Sequence, residues 1–428
     1  MVLRAAIGLY RLKKNEWLNP KALARLQWMK LKKILRHAYE NVPYYHRLFN
    51  DAGIRPEDIK NRDDLSKIPI TTKSKIQGLA PEEIIARGID RSKCIELRTS
   101  GSTGRPLSVF LTKKEKEFFA VVWARAFMGA GMNWKDKRLH VVGLVSENPP
   151  EKYWFQRLGI MRRQHGALLD GNGQVFEVLE QGNIDILSSQ PSILKLIIEH
   201  LVRKGCSRLH PRLVFTVAEV LDASTRQQIE NFFHAPLFDF YGLTEVGLIA
   251  WECAPHHGFH LNVDNQLVEF LRKGKRVPAG KRGKIIATSL HSYAMPFIRY
   301  DTEDVGILSR KRCPCGRGLP VLQRLEGRCD DFVSLPNGRH FPPQVFRRIM
   351  RTVPGVEEYK VIQERRDRIL IYMVIKKAFP MEICKAVREK VESALGKDLK
   401  IRFNVVDDIP LDRSGKLRSV ISYVPVDF

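Results

Sequence analysis

Short apolar runs alternate with stretches of helical periodicity between residues 95 and 300, and this alternation constrains the fold more than any other feature of the chain. The runs with the length and composition of buried strands are 139–145, 184–187, 213–217 and 236–240. The stretches with helical periodicity are 113–130, 190–204 and 223–233. Strands that alternate with helices in this way predict an α/β body built on a largely parallel sheet.

The pattern changes twice towards the C-terminus. From about residue 262, shorter strands such as 284–288 are separated by Gly/Pro turns, which predicts a β-rich subdomain. After residue 328, the helices predicted are 344–351 and 381–395, and the strands are 359–363, 369–375 and 401–405. We therefore predict an N-terminal domain over 1–327 and a small mobile α+β domain over 328–428. Two domains fit a chain of 428 residues, since a domain takes about 150.

The chain carries 72 Lys and Arg against 47 Asp and Glu, a formal charge of +25. Nucleic acid, an anionic membrane surface or polyanionic substrates could each balance such a charge. No nucleic-acid-binding module is recognisable, which makes a nucleic-acid partner unlikely on sequence grounds. With 44% hydrophobic residues and no run of about 18 apolar residues, the sequence predicts a globular, cytoplasmic protein.

Much of the positive charge lies in the basic helical start of the chain, residues 1–45. Up to Arg36 the chain has ten basic residues and a single acid, Glu16; the basic residues are Arg4, Arg11, Lys13, Lys14, Lys21, Arg25, Lys30, Lys32, Lys33 and Arg36. Apolar residues at three- and four-residue steps predict a helix over 21–42 that ends before Pro43. Its charged face is either solvated or docks on an anionic membrane or a glycan-pathway partner, which would place the protein at the membrane periphery. The first apolar stretch is interrupted by Arg4 and Arg11 and does not have the pattern of a signal peptide.

Two motifs of the α/β body combine small residues with hydroxyls or a carboxylate. The first follows a predicted strand and consists of Thr99, Ser100, Gly101, Ser102, Thr103 and Gly104. Glycines let backbone N–H groups converge on an anion, so this loop is either a phosphate cradle or a plain flexible turn. The second offers Tyr241, Gly242, Thr244 and Glu245 at a strand end, where open α/β sheets bind ligands. Glu245 could hold Mg²⁺ there and Thr244 a phosphate oxygen, or the segment is a surface turn with an exposed acid.

Three polar loops lie nearer the C-terminus. Residues 298–306 include Asp304, and residues 327–331 include Arg328 and Asp330. A carboxylate such as Asp304 suits a ribose diol, because it accepts hydrogen bonds from both hydroxyls. Residues 409–417 contain one lysine, Lys416. Taken alone, each of these loops is equally well explained as a charged turn.

The order and spacing of the motifs resemble the adenylate-forming enzymes, the superfamily of acyl-CoA synthetases and adenylation domains. The motifs are TSGSTGRP, YGLTE, YDTEDVG, GRCDD and PLDRSGK. Within that superfamily, AYENVPYY at 38–45 and LSKIPITTK at 65–73 are similar to the phenylacetate–CoA ligase family and its capsular polysaccharide biosynthesis branch. The resemblance covers nearly the whole chain.

The resemblance implies a two-step reaction. A small carboxylic acid attacks the α-phosphorus of ATP to give an acyl-adenylate and pyrophosphate, and a thiol, usually coenzyme A, then displaces AMP. Mg²⁺ and a lysine would neutralise the charge that develops on the phosphates. The alternatives left open are transfer to a carrier protein, an amine or a sugar in capsule or exopolysaccharide synthesis, and a non-catalytic scaffold. A homodimer is also left open.

The resemblance assigns roles to residues motif by motif. Those implied to bind ATP are Thr99, Ser100, Gly101, Ser102, Thr103, Gly104, Ala218, Glu219, Tyr241, Gly242, Thr244, Asp304 and Arg328. Tyr241 would lie against the adenine and Asp304 would bind the ribose. The catalytic residues would be Lys416, Glu245 and Thr244, with Mg²⁺ on Glu245. Asp330 matches the hinge about which the C-terminal domain turns between the two half-reactions.

The chain departs from the family pattern at several positions. Arg105 stands where a lysine is common in the phosphate loop, and Asp301 and Glu303 stand where Arg and Gly are usual. Residues 216–219 occupy the place of a glycine-containing element that borders adenine and substrate. A β-branched Val217 there is expected to narrow the acyl end of the site, which argues against phenylacetate itself as the substrate.

Seven scattered cysteines do not indicate a disulfide framework. Cys313 and Cys315, followed by Gly-Arg, form a knuckle-like element, and Cys253 with nearby histidines offers further ligands. Three cysteines and one histidine would complete a tetrahedral structural zinc site. Members of the phenylacetate–CoA ligase-like group with such an element look similar, and we favour His260 over His256 as the fourth ligand. The alternative is a set of reduced, unpaired cysteines.

Overall fold

The computed structural model describes residues 2–99, 106–143, 154–168, 174–206, 208–328, 331–375, 380–396, 399–410 and 419–424. The chain divides into two compact units. Unit 1 comprises Met1–Thr302 and Ile307–Arg324, and unit 2 comprises Glu303–Gly306 and Leu325–Phe428. The predicted fold class, a large mixed α/β domain followed by a small domain, is confirmed.

Unit 1 contains ten helices in the described residues, and most of them begin at a capping residue or a proline. They are α1 (Val2–Asn15), α2 (Pro20–Asn41), α3 (Pro43–Asp51), α4 (Lys73–Gln77), α5 (Pro81–Ile84), α6 (Lys113–Gly129), α7 (Trp154–Arg157), α8 (Gln174–Gln181), α9 (Pro191–Arg203) and α10 (Ala223–Phe233). Asn19, Thr112 and Asp222 cap α2, α6 and α10, because the side-chain oxygen of each accepts a backbone N–H of the first turn. Short 3₁₀ turns lie at Pro56–Asp58, Asp63–Lys67 and Arg91–Lys93.

The strands from β3 to β14 form one twelve-stranded sheet with the order β11-β10-β12-β13-β14-β9-β8-β7-β6-β5-β3-β4. Its strands are β3 (Lys137–Val142), β4 (Arg162–Ala167), β5 (Ile186–Ser189), β6 (Leu213–Val217), β7 (Leu237–Leu243), β8 (Gly247–Glu252), β9 (Phe259–Leu261), β10 (Gln266–Arg272), β11 (Lys275–Arg276), β12 (Arg282–Ser289), β13 (Tyr300–Leu308) and β14 (Val321–Arg328). The run β4-β3-β5-β6-β7 is parallel, and β8 and β9 pair antiparallel. A separate hairpin joins β1 (Ile95–Arg98) and β2 (Ser108–Leu111). The boundary between the units passes through β13 and β14.

The parallel part of the sheet is covered on both faces. Helices α8, α9 and α10 cover one face with a core that includes Ile197, Val214 and Leu237. Helix α6 covers the other face, where the Phe127 ring stacks on Phe215 with centroids 5.2 Å apart. Burial on both faces explains why a strand such as β6 is almost continuously apolar rather than alternating.

The basic start of the chain folds as three helices, two more than its periodicity indicated. Helix α1 was not predicted, and a further helix, α3, begins at Pro43. Helix α2 buries Leu31, Leu35 and Ala38, as its pattern predicts. Its bases are not all solvated, however, since the Lys30 ammonium lies 2.7 Å from the Asp264 carbonyl oxygen and burial lowers its pKa. A partner for the remaining charges stays a prediction.

No helix in the part of the chain that the structure describes is long and apolar enough to cross a membrane.

A buried ion pair joins the N-terminal helices to the sheet. Arg125 on α6 is fully buried and donates from Nη1 to Asp264 Oδ2 at 2.8 Å and from Nη2 to Asp264 Oδ1 at 3.1 Å. Asn262 and the carbonyl of Leu12 accept from the same guanidinium, and the carboxylate of Glu16 lies 3.8 Å away. This network, Arg125–Asp264 with its neighbours, attaches the end of α1 to the body.

Unit 2 is a small α+β unit. Its helices are α11 (Pro343–Arg351) and α12 (Pro380–Leu395), and its remaining strands are β15 (Val333–Ser334), β16 (His340–Phe341), β17 (Val356–Arg365), β18 (Arg368–Ile375), β19 (Lys400–Val405) and β20 (Val420–Ser422). A four-stranded sheet has the order β19-β18-β17-β20. Inside it, Gln363 accepts from the Ser334 N–H and the Ser422 hydroxyl at 2.8 and 2.9 Å, and so connects three strands.

Candidate active site

The predicted nucleotide residues of unit 1 lie at the ends of two adjacent parallel strands, β6 and β7. Ala218 directly follows β6 and has a φ of +72°, a left-handed conformation that a non-glycine residue rarely adopts. Tyr241 and Gly242 lie in the last part of β7, next to a bulge in its pairing with β8. A Cβ on Gly242 would come within 3.0 Å of the Gly247 carbonyl oxygen, so this position requires glycine.

Glu245 is buried in the turn between β7 and β8, which rules out the alternative of an exposed acid. Its Oε1 accepts a hydrogen bond of 2.9 Å from the hydroxyl of Tyr300, itself buried at the start of β13. Two sequence motifs therefore meet at this carboxylate. Thr244, which precedes Glu245, is partly exposed. Carboxylate oxygens are common ligands of Mg²⁺ in proteins, so Glu245, oriented by Tyr300, is a candidate Mg²⁺ ligand.

Glu219 has a structural partner. Its carboxylate accepts from the Ser192 N–H at 3.1 Å and from the Ser192 hydroxyl at 2.8 Å, in the first turn of α9. A carboxylate at a helix N-terminus is stabilised by the unpaired N–H groups and the helix dipole. The segment 216–219 is thus fixed at one end by α9, which helps to hold Ala218 in its unusual conformation.

Other predicted residues are distributed over both units or lie outside the described residues. Thr99 exchanges two hydrogen bonds with Leu107, of 3.0 and 2.8 Å, and so closes the base of the phosphate-loop candidate. Asp304 is buried in the part of β13 that belongs to unit 2, where Arg328 pairs with Glu303. In unit 1, the Lys284 ammonium lies 2.6 Å from Asp301 Oδ2. The residues outside the description are Ser100, Gly101, Ser102, Thr103, Gly104, Arg105, Asp330 and Lys416.

A cavity of about 770 Å³ in unit 1 adjoins the ends of β6 and β7, and sequence reasoning did not predict it. Val217 and Phe240 line the cavity, and the next residues along their strands are Ala218 and Tyr241. We expected Val217 to narrow the site, but the cavity beside it is large. Helix α6 contributes an aromatic wall whose members are Phe119, Trp123 and Phe127. Their four-residue spacing is the sequence signal that could have indicated this wall.

The predicted metal-ligating residues Cys253, His260, Cys313 and Cys315 lie together in unit 1, with all four ligand atoms within 4.8 Å of one another. His260 Nε2 lies 3.2 Å from Cys253 Sγ and 3.3 Å from Cys315 Sγ, and Cys253 Sγ lies 3.5 Å from Cys313 Sγ. A tetrahedral zinc with Zn–S of about 2.3 Å and Zn–N of about 2.0 Å places its ligand atoms about 3.5 Å apart. The geometry therefore fits zinc. His256 does not join the cluster and instead lies 3.5 Å from the Glu252 carboxylate.

The loop that carries Cys313 and Cys315 also contacts the N-terminal helices. Arg317 donates from Nε to Glu16 Oε2 at 2.7 Å, and its guanidinium lies over the Trp17 ring. Although burial alone would raise the pKa of the Cys315 thiol, hydrogen bonds from the backbone and side chain of Arg317 lower it. A lowered thiol pKa favours the thiolate, the form that ligates metals.

Two family models match the chain. The AMP-binding enzyme model matches residues 97–290, and the CapK C-terminal domain model matches residues 335–423. A phenylacetate-coenzyme A ligase of Thermus thermophilus is 27% identical over 95% of this chain and 98% of its own length. The Escherichia coli phenylacetate-coenzyme A ligase is 29% identical over 87% of this chain and 89% of its own. A crystal structure of a 2-hydroxyisobutyryl-CoA ligase in the postadenylation state superposes with a TM-score of 0.80 at 18% identity, over 96% of this chain and 91% of that one.

The chain belongs to the AMP-binding superfamily of adenylate-forming enzymes and has a CapK C-terminal domain. It is an acid–CoA ligase-like enzyme and a distant relative of the phenylacetate-coenzyme A ligases. This confirms the resemblance drawn from the motifs.

Proposed function

We propose that the enzyme activates a carboxylic acid with ATP and transfers the acyl group to coenzyme A. One observation carries this proposal: an apolar cavity ends beside the strand termini that present Ala218, Tyr241 and the buried Glu245. An acid whose apolar part fills the cavity would extend its carboxylate towards these residues. The match to the AMP-binding model over residues 97–290, which contain them, supports the same conclusion.

In the first step, a carboxylate oxygen of the acid forms a bond to the α-phosphorus of ATP while the bond to pyrophosphate breaks. Thr244 and the loop Ser100–Gly104 would hold phosphate oxygens, and Lys416 would neutralise charge on the carboxylate and the α-phosphate. Glu245 would hold Mg²⁺, which supplies positive charge to the phosphates when bound. The Tyr300 hydroxyl keeps Glu245 Oε1 fixed at 2.9 Å, so the carboxylate is positioned before substrate arrives.

In the second step, the coenzyme A thiolate attacks the acyl carbon and AMP leaves with the bonding electrons. Asp304 would hold the ribose of the nucleotide and Tyr241 its adenine. A turn about Asp330 would exchange Lys416 for residues that accept the thiol. The alternative acceptor is a carrier protein, an amine or a sugar. The match of residues 335–423 to the CapK C-terminal domain is the observation that supports this alternative, so the experiment below tests it as well.

ATP–pyrophosphate exchange across a panel of carboxylic acids tests the first step. We expect exchange with at least one acid, and a loss of about a hundred-fold or more in Lys416→Ala and Glu245→Gln. Lys390→Ala is the matched control, because Lys390 is an exposed lysine on α12. No exchange with any acid would contradict the proposal. Thioester formation with coenzyme A, measured with the same acid, decides between coenzyme A and the other acceptors.

We also propose that Cys253, His260, Cys313 and Cys315 bind a structural zinc ion. Three thiolates and an imidazole close the coordination sphere, so the ion would have no position for a substrate. The observation that supports it is the mutual approach of four ligand atoms from β8, β9 and the loop before β14. Its role would be to fix this loop and, through Arg317, the position of Glu16 after α1.

A further inference from the structure

The size of the cavity in unit 1 limits which acids can fill it. An apolar cavity of about 150 Å³ is enough to hold benzene. The cavity here, at about 770 Å³, is roughly five times larger, so an acid with a single ring leaves most of it unfilled. Close packing provides much of the binding free energy of an apolar ligand, and unfilled space forfeits it. The cavity therefore favours an acid with a long or bulky apolar body.

Four basic residues line this cavity, and they are Lys116, Arg138, Arg162 and Arg163. Arg138 on β3 lines the cavity, and among the described residues it has no hydrogen bond or ion pair. Its guanidinium lies over the Phe127 ring, 4.2 Å from the centroid. Burial, and then the charge of Arg163, lower the pKa of Arg138 to about 10, which leaves it protonated at neutral pH. The Arg138 side chain is half-buried among apolar residues. A charge withdrawn from water without an acceptor is unfavourable, and such groups in native structures call for a partner.

A neutral imidazole lies beside Arg138 on the same face of the strand. His140 is two residues further along β3 and also lines the cavity. Its Nδ1 lies 3.1 Å from the Ser188 carbonyl oxygen, which can only accept, so Nδ1 carries the proton and Nε2 is an acceptor. Burial and the charge of Arg138 lower the pKa of His140 to about 3, which keeps the ring neutral. The polar end of the cavity thus offers a guanidinium donor and an imidazole acceptor.

The register of the sheet places this polar end far from the reacting end. Arg138 pairs with Ile186, and Ile186 with Leu213, which is four residues before Val217 on β6. With about 3.3 Å per residue along a strand and about 4.8 Å between strands, the Cα atoms of Arg138 and Val217 are roughly 16 Å apart. An acid that reacts beside Val217 could reach Arg138 only with an extended body.

We infer that the acid this enzyme activates has a long apolar body with a second oxygen-bearing polar group at its far end, and that Arg138 binds this group. The inference rests on the proposed function for the reacting end. A guanidinium donates two parallel hydrogen bonds to a carboxylate and one or two to a hydroxyl, so either group is recognised by the same chemistry. His140 Nε2 can accept a hydrogen bond from a hydroxyl but not from a carboxylate. A preference for an acid with a terminal hydroxyl over one with a second carboxylate would therefore indicate that His140 also contacts the group.

The experiment compares four acids in ATP–pyrophosphate exchange: phenylacetate, decanoate, ω-hydroxydecanoate and decanedioate. We expect the wild-type enzyme to prefer one of the two ω-substituted acids. Arg138→Met should lower kcat/KM for that acid by about ten- to a hundred-fold, the range for one charge-assisted hydrogen bond, and leave decanoate within about two-fold. Lys137→Met is the matched control, because Lys137 precedes Arg138 on the same strand and its side chain points to the opposite face.

Binding of the same acids to the full chain without ATP, measured by calorimetry, separates this inference from the proposed function. If exchange is absent with every acid, the proposed function fails, and the Arg138 dependence of decanedioate or ω-hydroxydecanoate binding still decides the inference. A preference for phenylacetate would overturn it. So would equal binding of an ω-substituted acid by the wild type and by Arg138→Met, or a preference for decanoate over both ω-substituted acids.

Discussion

Arg125 and Arg138 are two arginines inside the same unit, and their surroundings are opposite. The guanidinium of Arg125 is bound by Asp264, Asn262 and the Leu12 carbonyl. That of Arg138 has only the face of Phe127 among the described residues. In the sequence Arg125 lies between two alanines and Arg138 between Lys137 and Leu139, and neither pattern shows which arginine has a partner. The difference arises from the residues that the fold brings to each. A cation whose donors are satisfied belongs to the fold, and a cation with free donors beside a cavity is available to a ligand.

The largest expected effect follows directly from this comparison. Arg125→Met should lower the free energy of unfolding by about 3–5 kcal/mol, because it leaves the buried Asp264 without a counter-charge. Arg138→Met should leave it unchanged or raise it slightly, since it removes a half-buried charge that has no acceptor among the described residues. Urea denaturation of both variants measures the difference.

The double variant Arg125→Met/Asp264→Asn provides the control. If the loss comes from the uncompensated carboxylate, neutralising Asp264 should recover part of it in a double-mutant cycle. Equal destabilisation by Arg125→Met and Arg138→Met would remove the distinction between the two arginines, and with it one support for a ligand at Arg138.

Loss of the proposed zinc ion should have the next largest effect, because the ion would fix one loop whose Arg317 contacts Glu16 in the Arg125 network. Purified protein should contain one zinc per chain, and Cys313→Ser should lose it and melt several degrees lower. Cys206→Ser is the matched control, since Cys206 lies outside the cluster. Protein that contains no zinc by elemental analysis and is unaffected by Cys313→Ser would show that the cysteines are simply reduced.

The sequence predicted several helices and strands and the Cys/His cluster. It did not predict which arginine would have a partner, Arg125 or Arg138. Strands β5 and β6 and helix α10 follow from local patterns of apolar residues. The four candidate metal ligands follow from the Cys313–Cys315 pair, from Cys253 with its nearby histidines, and from the family resemblance. Helix α1 was missed because Arg4 and Arg11 interrupt its apolar residues, and its helicity is supported by packing against α6. The cavity was missed for a related reason: its walls come from segments far apart in the chain, and no local pattern records the space between them.

Two buried carboxyl groups, those of Asp264 and Asp239, differ in the same way: the first has a cationic partner that lowers its pKa, and the pKa of the second is raised. Burial would raise the pKa of Asp264, but the charge and hydrogen bonds of Arg125 lower it. Burial, and then the charge of the nearby Glu252, raise the pKa of Asp239 to about 8. Asp239 therefore stays protonated in the folded protein at neutral pH.

The pH dependence of stability should report this difference. Because the folded-state pKa of Asp239 lies above its unfolded value of 3.8, its contribution to stability is complete below about pH 4 and is lost as the pH rises to about 8. The Thr216 hydroxyl donates to Asp239 Oδ1 at 2.8 Å. The variant Asp239→Asn keeps an oxygen acceptor for this hydroxyl, but its amide does not titrate. The melting temperature of the wild type should thus fall relative to Asp239→Asn between pH 5 and 8. A constant difference over that range would contradict the assignment.

The smallest effect concerns the backbone rather than a charge. Ala218 and His234 both have a left-handed φ, of +72° and +50°. His234 ends helix α10, a position at which helices commonly adopt this conformation, whereas Ala218 follows β6 in the candidate nucleotide site. Ala218→Gly and His234→Gly should each raise the free energy of unfolding by up to about 1 kcal/mol, because glycine adopts this φ without strain.

Activity separates the two positions. The segment of Ala218 is held by the Glu219–Ser192 hydrogen bonds and borders both the cavity and the predicted adenine site, so a more flexible glycine should raise the KM for ATP a few-fold. His234→Gly should leave it unchanged, since His234 is an exposed residue at the end of α10. If both variants leave the KM for ATP unchanged while both gain stability, the conformation of Ala218 is strain tolerated by the fold. If only Ala218→Gly changes the KM, the left-handed alanine positions the nucleotide, and the energetic cost of its conformation serves binding, as the unpaired charge of Arg138 is proposed to do.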